Sequence, residues 1–157
     1  MTNHLPTRKK NRLPKEVYAA AGIYFITICT EERRFLFWKN SEEDTLSEYG
    51  LTAKRILLSL PDRFPAIRII EYCIMPDHIH LLISLRPDET ASGKTSIQNV
   101  VGCFKARTTK AIGTGKTVWQ KGFYDHIVRG QEDFDSVRQY IQFNPYIYLE
   151  KKKEGKS

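Results

Sequence analysis

Apolar positions recur along this chain with two periods, and the switches between them mark out the expected elements. Tyr24-Phe25-Ile26-Thr27-Ile28-Cys29 is β-branched and aromatic with no breaker, which predicts a first strand. Leu46, Tyr49, Ala53, Ile56, Leu57 and Leu60 then follow helical spacing, with Ser47 placed to cap the helix and Pro61 expected to stop it. Ile67 to Met75 and His78 to Leu85 read as two further strands, and Pro76-Asp77 between them predicts a tight antiparallel hairpin. Arg86 to Ser96 mixes Pro, Gly, Ser, Thr and acids and reads as a loop. After it Ile97, Val100, Val101, Phe104, Thr108 and Ala111 trace one helical face up to Gly113. Val118 to Val128 has room for a fourth strand, and Phe134, Val137 and Ile141 lie on a last helix that Pro145 is expected to end. The order β-α-β-β-α-β-α predicts an α+β fold. It suits a ferredoxin-like, split βαβ antiparallel sheet with packed helices and one extra C-terminal helix.

The chain has 157 residues, 41% of them hydrophobic and 27% charged, which suits a single globular domain and not a disordered or disulfide-stapled chain. Charge divides it further. Residues 1–16 form a basic arm with Arg8, Lys9, Lys10, Arg12 and Lys15 against Glu16; residues 17–148 form the domain; residues 149–157 form a second basic tail. The longest uncharged run, Val17 to Thr30, is shorter than the ~20 residues of a membrane helix. The basic start lacks an apolar export signal, so the expected setting is the cytoplasm, without membrane contact. Cys29, Cys73 and Cys103 show no CxxC spacing and read as reduced core thiols.

Chemistry concentrates in two places. On the strand from His78, alternate residues share a face, so Ile79, Leu81, Ile83 and Leu85 line one side while His78 and His80 stand together on the other. Two imidazoles so placed can chelate one divalent ion, or they can be the polar face of a half-buried strand. Other paired-histidine sites do not fit the flanks: Leu82 stands where HxHxH needs a histidine, Leu82-Ile83 breaks HxHxDH, and HxE with PCxxC is missing. The second place is the last helix, where Tyr140 and Asn144 share a face at a spacing of four. Tyrosine can supply a nucleophile and the asparagine amide oxygen a metal ligand. The alternative is an aromatic packed at the core edge, with Asn144 as a helix terminator before proline.

Cys73-Ile74-Met75-Pro76-Asp77-His78-Ile79-His80-Leu81-Leu82-Ile83 and Tyr140-Ile141-Gln142-Phe143-Asn144-Pro145 resemble the HUH and single-tyrosine motifs of the REP-associated tyrosine transposases, relatives of small bacterial insertion-sequence transposases. Phe104-Lys105 and Trp119-Gln120-Lys121-Gly122-Phe123-Tyr124-Asp125-His126 resemble the same family, in the same order. The resemblance implies a metal-dependent single-strand DNA endonuclease and strand transferase, nucleoid-associated in a bacterial cytoplasm, that cleaves and rejoins DNA at hairpin repeats through a 5′-phosphotyrosine. His78, His80 and Asn144 would be ligands of Mg²⁺ or Mn²⁺ and Tyr140 the nucleophile, with no nucleotide cofactor. Insertion-sequence relatives generally carry glutamine where Asn144 stands, which groups this chain with the REP-associated branch.

The formal charge of +7 then acquires a map. Lys94, Lys105, Arg107, Lys110, Lys116, Lys121 and Arg129 face only Asp125 between residues 94 and 129, a segment expected to contact the phosphates of single-stranded or hairpin DNA. Gly113-Thr114-Gly115-Lys116-Thr117 is not a nucleotide loop, because Lys110 stands where the first glycine is needed. His126 receives no role. A non-cleaving module that binds structured DNA is the competing expectation, and a monomer and a homodimer both remain open.

Overall fold

The protein is described by a computed structural model covering residues 22–86 and 95–155. The basic arm, Lys94 and the last two residues of the tail lie outside the described residues. Among the described residues four strands and three α-helices follow the expected order: β1 (Gly22–Cys29), α1 (Glu48–Arg63), β2 (Ile67–Ile74), β3 (His78–Leu85), α2 (Ile97–Ile112), β4 (Tyr124–Val128) and α3 (Gly130–Gly155). The strands form one antiparallel sheet in the order β2-β3-β1-β4, the arrangement expected of two interlocked split βαβ units.

Register sorts the side chains. His78 pairs with Cys29, His80 with Thr27 and Leu82 with Phe25, so these residues share one face, joined on β2 by Cys73 opposite His80. Ile79, Leu81 and Ile83 share the other face with Ile26 and Ile28, and all are almost fully buried. That apolar face is closed by α1 and α2. The two helices pack on each other, and Arg107 of α2 donates to Ser59 of α1 across their seam at 3.0 Å. The histidine face is covered by α3.

Local signals account for most of the ends. Ser47 caps α1 by accepting from the Gly50 amide, and Ser96 caps α2 through the Asn99 amide. Gly113 closes α2 at φ 67°, a left-handed conformation that glycine adopts without penalty. The Pro76-Asp77 turn is closed by the Met75 amide donating to the His78 carbonyl.

Neither proline stops its helix. Pro61 lies within α1, which continues to Arg63 because a proline removes only its own amide from the ladder; the Phe64 amide still donates to Leu60. Pro145 lies within α3, which runs on to Gly155, so Leu149 to Gly155 continue that helix. Contacts on both sides of Pro145 hold it: Val137 and Ile141 are buried before it, and Tyr148 packs edge-on against Trp38 after it, at 5.3 Å between centroids. The fourth strand is shorter than expected. Trp119 makes an isolated bridge with Thr30, and regular pairing begins only at Tyr124.

Candidate active site

Strand alternation aims both imidazoles at α3, and each is oriented by a neighbour through Nδ1. His78 Nδ1 donates to Asp77 Oδ1 at 2.7 Å, and His80 Nδ1 is hydrogen-bonded to Thr27 Oγ1 at 2.8 Å. Nε2 of each ring is the nitrogen turned away from that neighbour, and the rings stand edge to face with centroids 4.7 Å apart. A carboxylate or hydroxyl on the far nitrogen of a ligating histidine fixes its tautomer and raises its basicity.

Asp77 is held in turn. Arg33 donates to Asp77 Oδ2 at 3.0 Å, from a backbone in the left-handed region at φ 51°, uncommon outside glycine. Partial burial pushes the Asp77 carboxyl up, but the bonds from His78 and Arg33 outweigh it and hold the group below its usual value. The Arg33 guanidinium is raised correspondingly, burial opposing and Asp77 prevailing. The turn is also tied by backbone: the Thr30 amide donates to Asp77, and those of Leu36 and Phe37 to Pro76.

Helix α3 brings Tyr140 onto this pair. Its ring lies 5.2 Å from that of His80 and 6.0 Å from that of Phe25. Asn144, one turn on and half-buried, lies inside the helix, so it is not a terminator before proline. Among the described residues no three His, Cys, Asp or Glu side chains converge as a metal cluster. Asn144 follows Tyr140 by one turn of the same helix, whose Tyr140 ring meets His80. Cys73 lies directly across from His80, but burial pushes its thiol up to about 12 and keeps it neutral.

The expected DNA-contacting cations divide. Lys105 donates to the carbonyls of Gln120 at 2.9 Å and Gly122 at 2.5 Å, stitching α2 to the turn before β4, and Arg107 reaches Ser59. Lys110, Lys116, Lys121 and Arg129 are exposed. Lys110 and Lys116 line an open surface depression with Thr109, Gly113, Gly115 and Thr117. Because α2 covers the face away from the histidines, Lys105, Arg107 and Lys110 start on the far side of the sheet from Tyr140. His126 is not solvated; its Nε2 meets Asp133 of α3 at 2.8 Å.

Thr27, Arg33 and Glu71 carry no recognisable spacing in the sequence, since strand pairing and chain return bring them in. Asp77, read from the sequence only as a turn residue, stands beside His78, and a carboxylate next to a histidine is the signal that could have found it. No helix among the described residues is long and apolar enough to cross a membrane.

The sequence model of a family described as "Transposase IS200 like" matches residues 19–144. An uncharacterized protein of Haemophilus influenzae is 31% identical over 90% of this chain and 89% of its own length. A REP-associated tyrosine transposase of Escherichia coli K12 is 24% identical over 83% of this chain and 70% of its own. A solved structure described as a REP-associated tyrosine transposase bound to a REP hairpin shares the fold at a TM-score of 0.61, with 20% identity, covering 94% of this chain and 74% of that one.

Proposed function

The chain belongs to the IS200-like transposase family, and from that premise we propose that it cleaves and rejoins single-stranded DNA beside hairpin repeats through a covalent bond to Tyr140. The observation that carries the reading is the approach of Tyr140 to His80, 5.2 Å between rings, within one chain. A hydroxyl on the helix and an oriented histidine pair on the sheet meet where one phosphate could touch both. A relative described as bound to a REP hairpin supports hairpin DNA as the partner class.

His78, His80 and Asn144 would hold the divalent ion. When bound, Mg²⁺ or Mn²⁺ supplies Lewis-acid polarisation of the scissile phosphate; two imidazoles favour Mn²⁺ over Mg²⁺, which prefers oxygen ligands. The chain's own residues do the rest. Asp77 and Thr27 hold the Nδ1 side of each ring and so aim its Nε2. Tyr140 Oη attacks phosphorus and loses its proton; the P–O3′ bond breaks, leaving a 5′-phosphotyrosine and a free 3′-hydroxyl. Attack by a 3′-hydroxyl reverses the step and rejoins the strand, so no nucleotide is consumed.

Incubation of the protein with 5′- and 3′-labelled hairpin DNA and Mn²⁺ tests this. A denaturation-resistant adduct carrying only the label 3′ of the cut supports it. Hairpin affinity with no adduct at any divalent ion overturns it in favour of the non-cleaving module.

The basic residues divide in the same assays. Lys105→Ala should lower stability by about 1–3 kcal/mol, because it leaves two inner carbonyls without their donor. Lys110→Ala with Lys116→Ala should leave stability unchanged and flatten the salt dependence of DNA affinity, by roughly one unit of slope per lost phosphate contact. A Lys105→Ala protein that unfolds at the wild-type denaturant concentration but binds DNA more weakly would make Lys105 a phosphate contact instead.

A further inference from the structure

We propose that Glu71 on β2 and the pair that His126 of β4 makes with Asp133 of α3 are positioning contacts: they bolt α3 to the two edge strands and set Tyr140 against the histidines. The inference rests on the transferase reading above and concerns a part of the site that neither motif contains.

Helix α3 spans Gly130 to Gly155, yet Val137 and Ile141 are its only fully buried side chains among the described residues. That seam, with Phe134, Tyr140, Tyr148 and Leu149 partly buried beside it, holds the helix down, but dispersion contacts are not directional and fix its rotation and sliding only weakly. The directional contacts lie at its flanks. Arg138 Nη2 and Gln142 Nε2, two residues before and two after Tyr140, both donate to Glu71 Oε2, at 3.2 and 2.9 Å. Glu71 lies where the β2–β3 register shifts, an irregularity between Ile69 and Glu71 of the kind that re-aims a side chain. At the opposite edge His126 Nε2 meets both Asp133 carboxylate oxygens, at 3.0 and 2.8 Å. Asp133 Oδ2 also accepts from the Arg129 amide at 2.8 Å, tying the entry of α3 to the end of β4. His126 and Asp133 are 16% and 17% exposed and Glu71 22%, while Arg138 and Gln142 reach Glu71 from the more exposed side of the helix. β2 and β4 are the outer strands of the sheet, so the helix is held across the histidine pair from both sides.

A displacement of about 1 Å at a reacting atom can cost roughly 10²-fold in rate. Glu71→Ala is therefore expected to slow adduct formation by about 10- to 100-fold while hairpin affinity stays within about twofold. Glu71→Gln, whose amide oxygen still accepts from Arg138 and Gln142, should return most of the rate, and the exchange Glu71→Arg with Arg138→Glu should recover more than either single change. His126→Ala should act in the same direction as Glu71→Ala. Amide hydrogen exchange without DNA reads the clamp directly, with residues 138–144 expected to exchange faster in Glu71→Ala. Leu57→Ala, a core truncation remote from α3, controls for general destabilisation.

Wild-type adduct rates in Glu71→Ala, or an equal loss in Leu57→Ala, would overturn the proposal. A wild-type protein that forms no adduct defeats the transferase reading alone; the clamp then stands or falls on whether Glu71→Ala speeds exchange in 138–144.

Discussion

Tyr140→Phe is expected to abolish the covalent protein–DNA adduct and to lower strand cleavage by on the order of 10³-fold or more, the scale seen when a nucleophile is removed from a site that otherwise still binds. The substitution deletes one hydroxyl from a half-buried ring. The edge contacts of that ring with His80 and Phe25 remain, so stability should change by no more than about 0.5 kcal/mol. Hairpin affinity should stay near wild type, since no charge facing the phosphates is lost. Electrophoresis under denaturing conditions measures the adduct, and fluorescence anisotropy on the same oligonucleotide measures affinity. An adduct of undiminished yield in Tyr140→Phe would place the nucleophile elsewhere. Tyr148 is a poor substitute: burial and the charge of Asp77 raise its hydroxyl above the usual value and so oppose its ionisation.

Trp38→Ala is expected to be the costliest single substitution for the fold, at about 3–5 kcal/mol. The indole is almost fully buried and does three things at once. It fills the core, donates from Nε1 to the Ile74 carbonyl at 2.7 Å, and supports Tyr148 of α3 edge-on. Truncation leaves a cavity and strips the Ile74 carbonyl of its donor just before the turn that carries Asp77. For a domain whose total stability is on the order of 5–15 kcal/mol, much of the margin disappears. Trp38→Phe keeps an aromatic surface and loses the N–H, so it should cost about 1–3 kcal/mol. Urea titration should show the midpoint falling in the order wild type, Phe, Ala, with the slope unchanged. Equal midpoints for Phe and Ala would mean that the hydrogen bond, and not the packing, carries the effect.

Much of this was legible along the chain because its informative signals are local. Helical spacing and caps at Ser47 and Ser96, glycine at 113 and the two-residue turn at Pro76-Asp77 act within a few residues of themselves, and each lies where its chemistry predicts. The prolines misled for a reason of the same kind. Local propensity disfavours Pro61 and Pro145 inside a helix, but packing on both sides of Pro145 outweighs one missing bond, and Pro61 is followed by only two more helical residues, with the Phe64 amide still donating to Leu60. For Lys105 the chain shows one more cation in a basic segment, and only the fold shows the Gln120 and Gly122 carbonyls at its ammonium.

By itself the sequence determined the order of elements, the face on which His78 and His80 stand, and the spacing that puts Tyr140 and Asn144 on one side of a helix. These follow from periods of 2.0 and 3.6 residues, which any stretch of chain carries with it. Only the tertiary structure decided that the two faces meet. Antiparallel register set Thr27 beside His80, the return of the 30–37 segment set Arg33 on Asp77, and the edge strands met α3 at Glu71 and His126. Those partners lie up to 71 positions apart, and contacts at that distance are settled by the summed packing of the whole sheet, which no local pattern encodes.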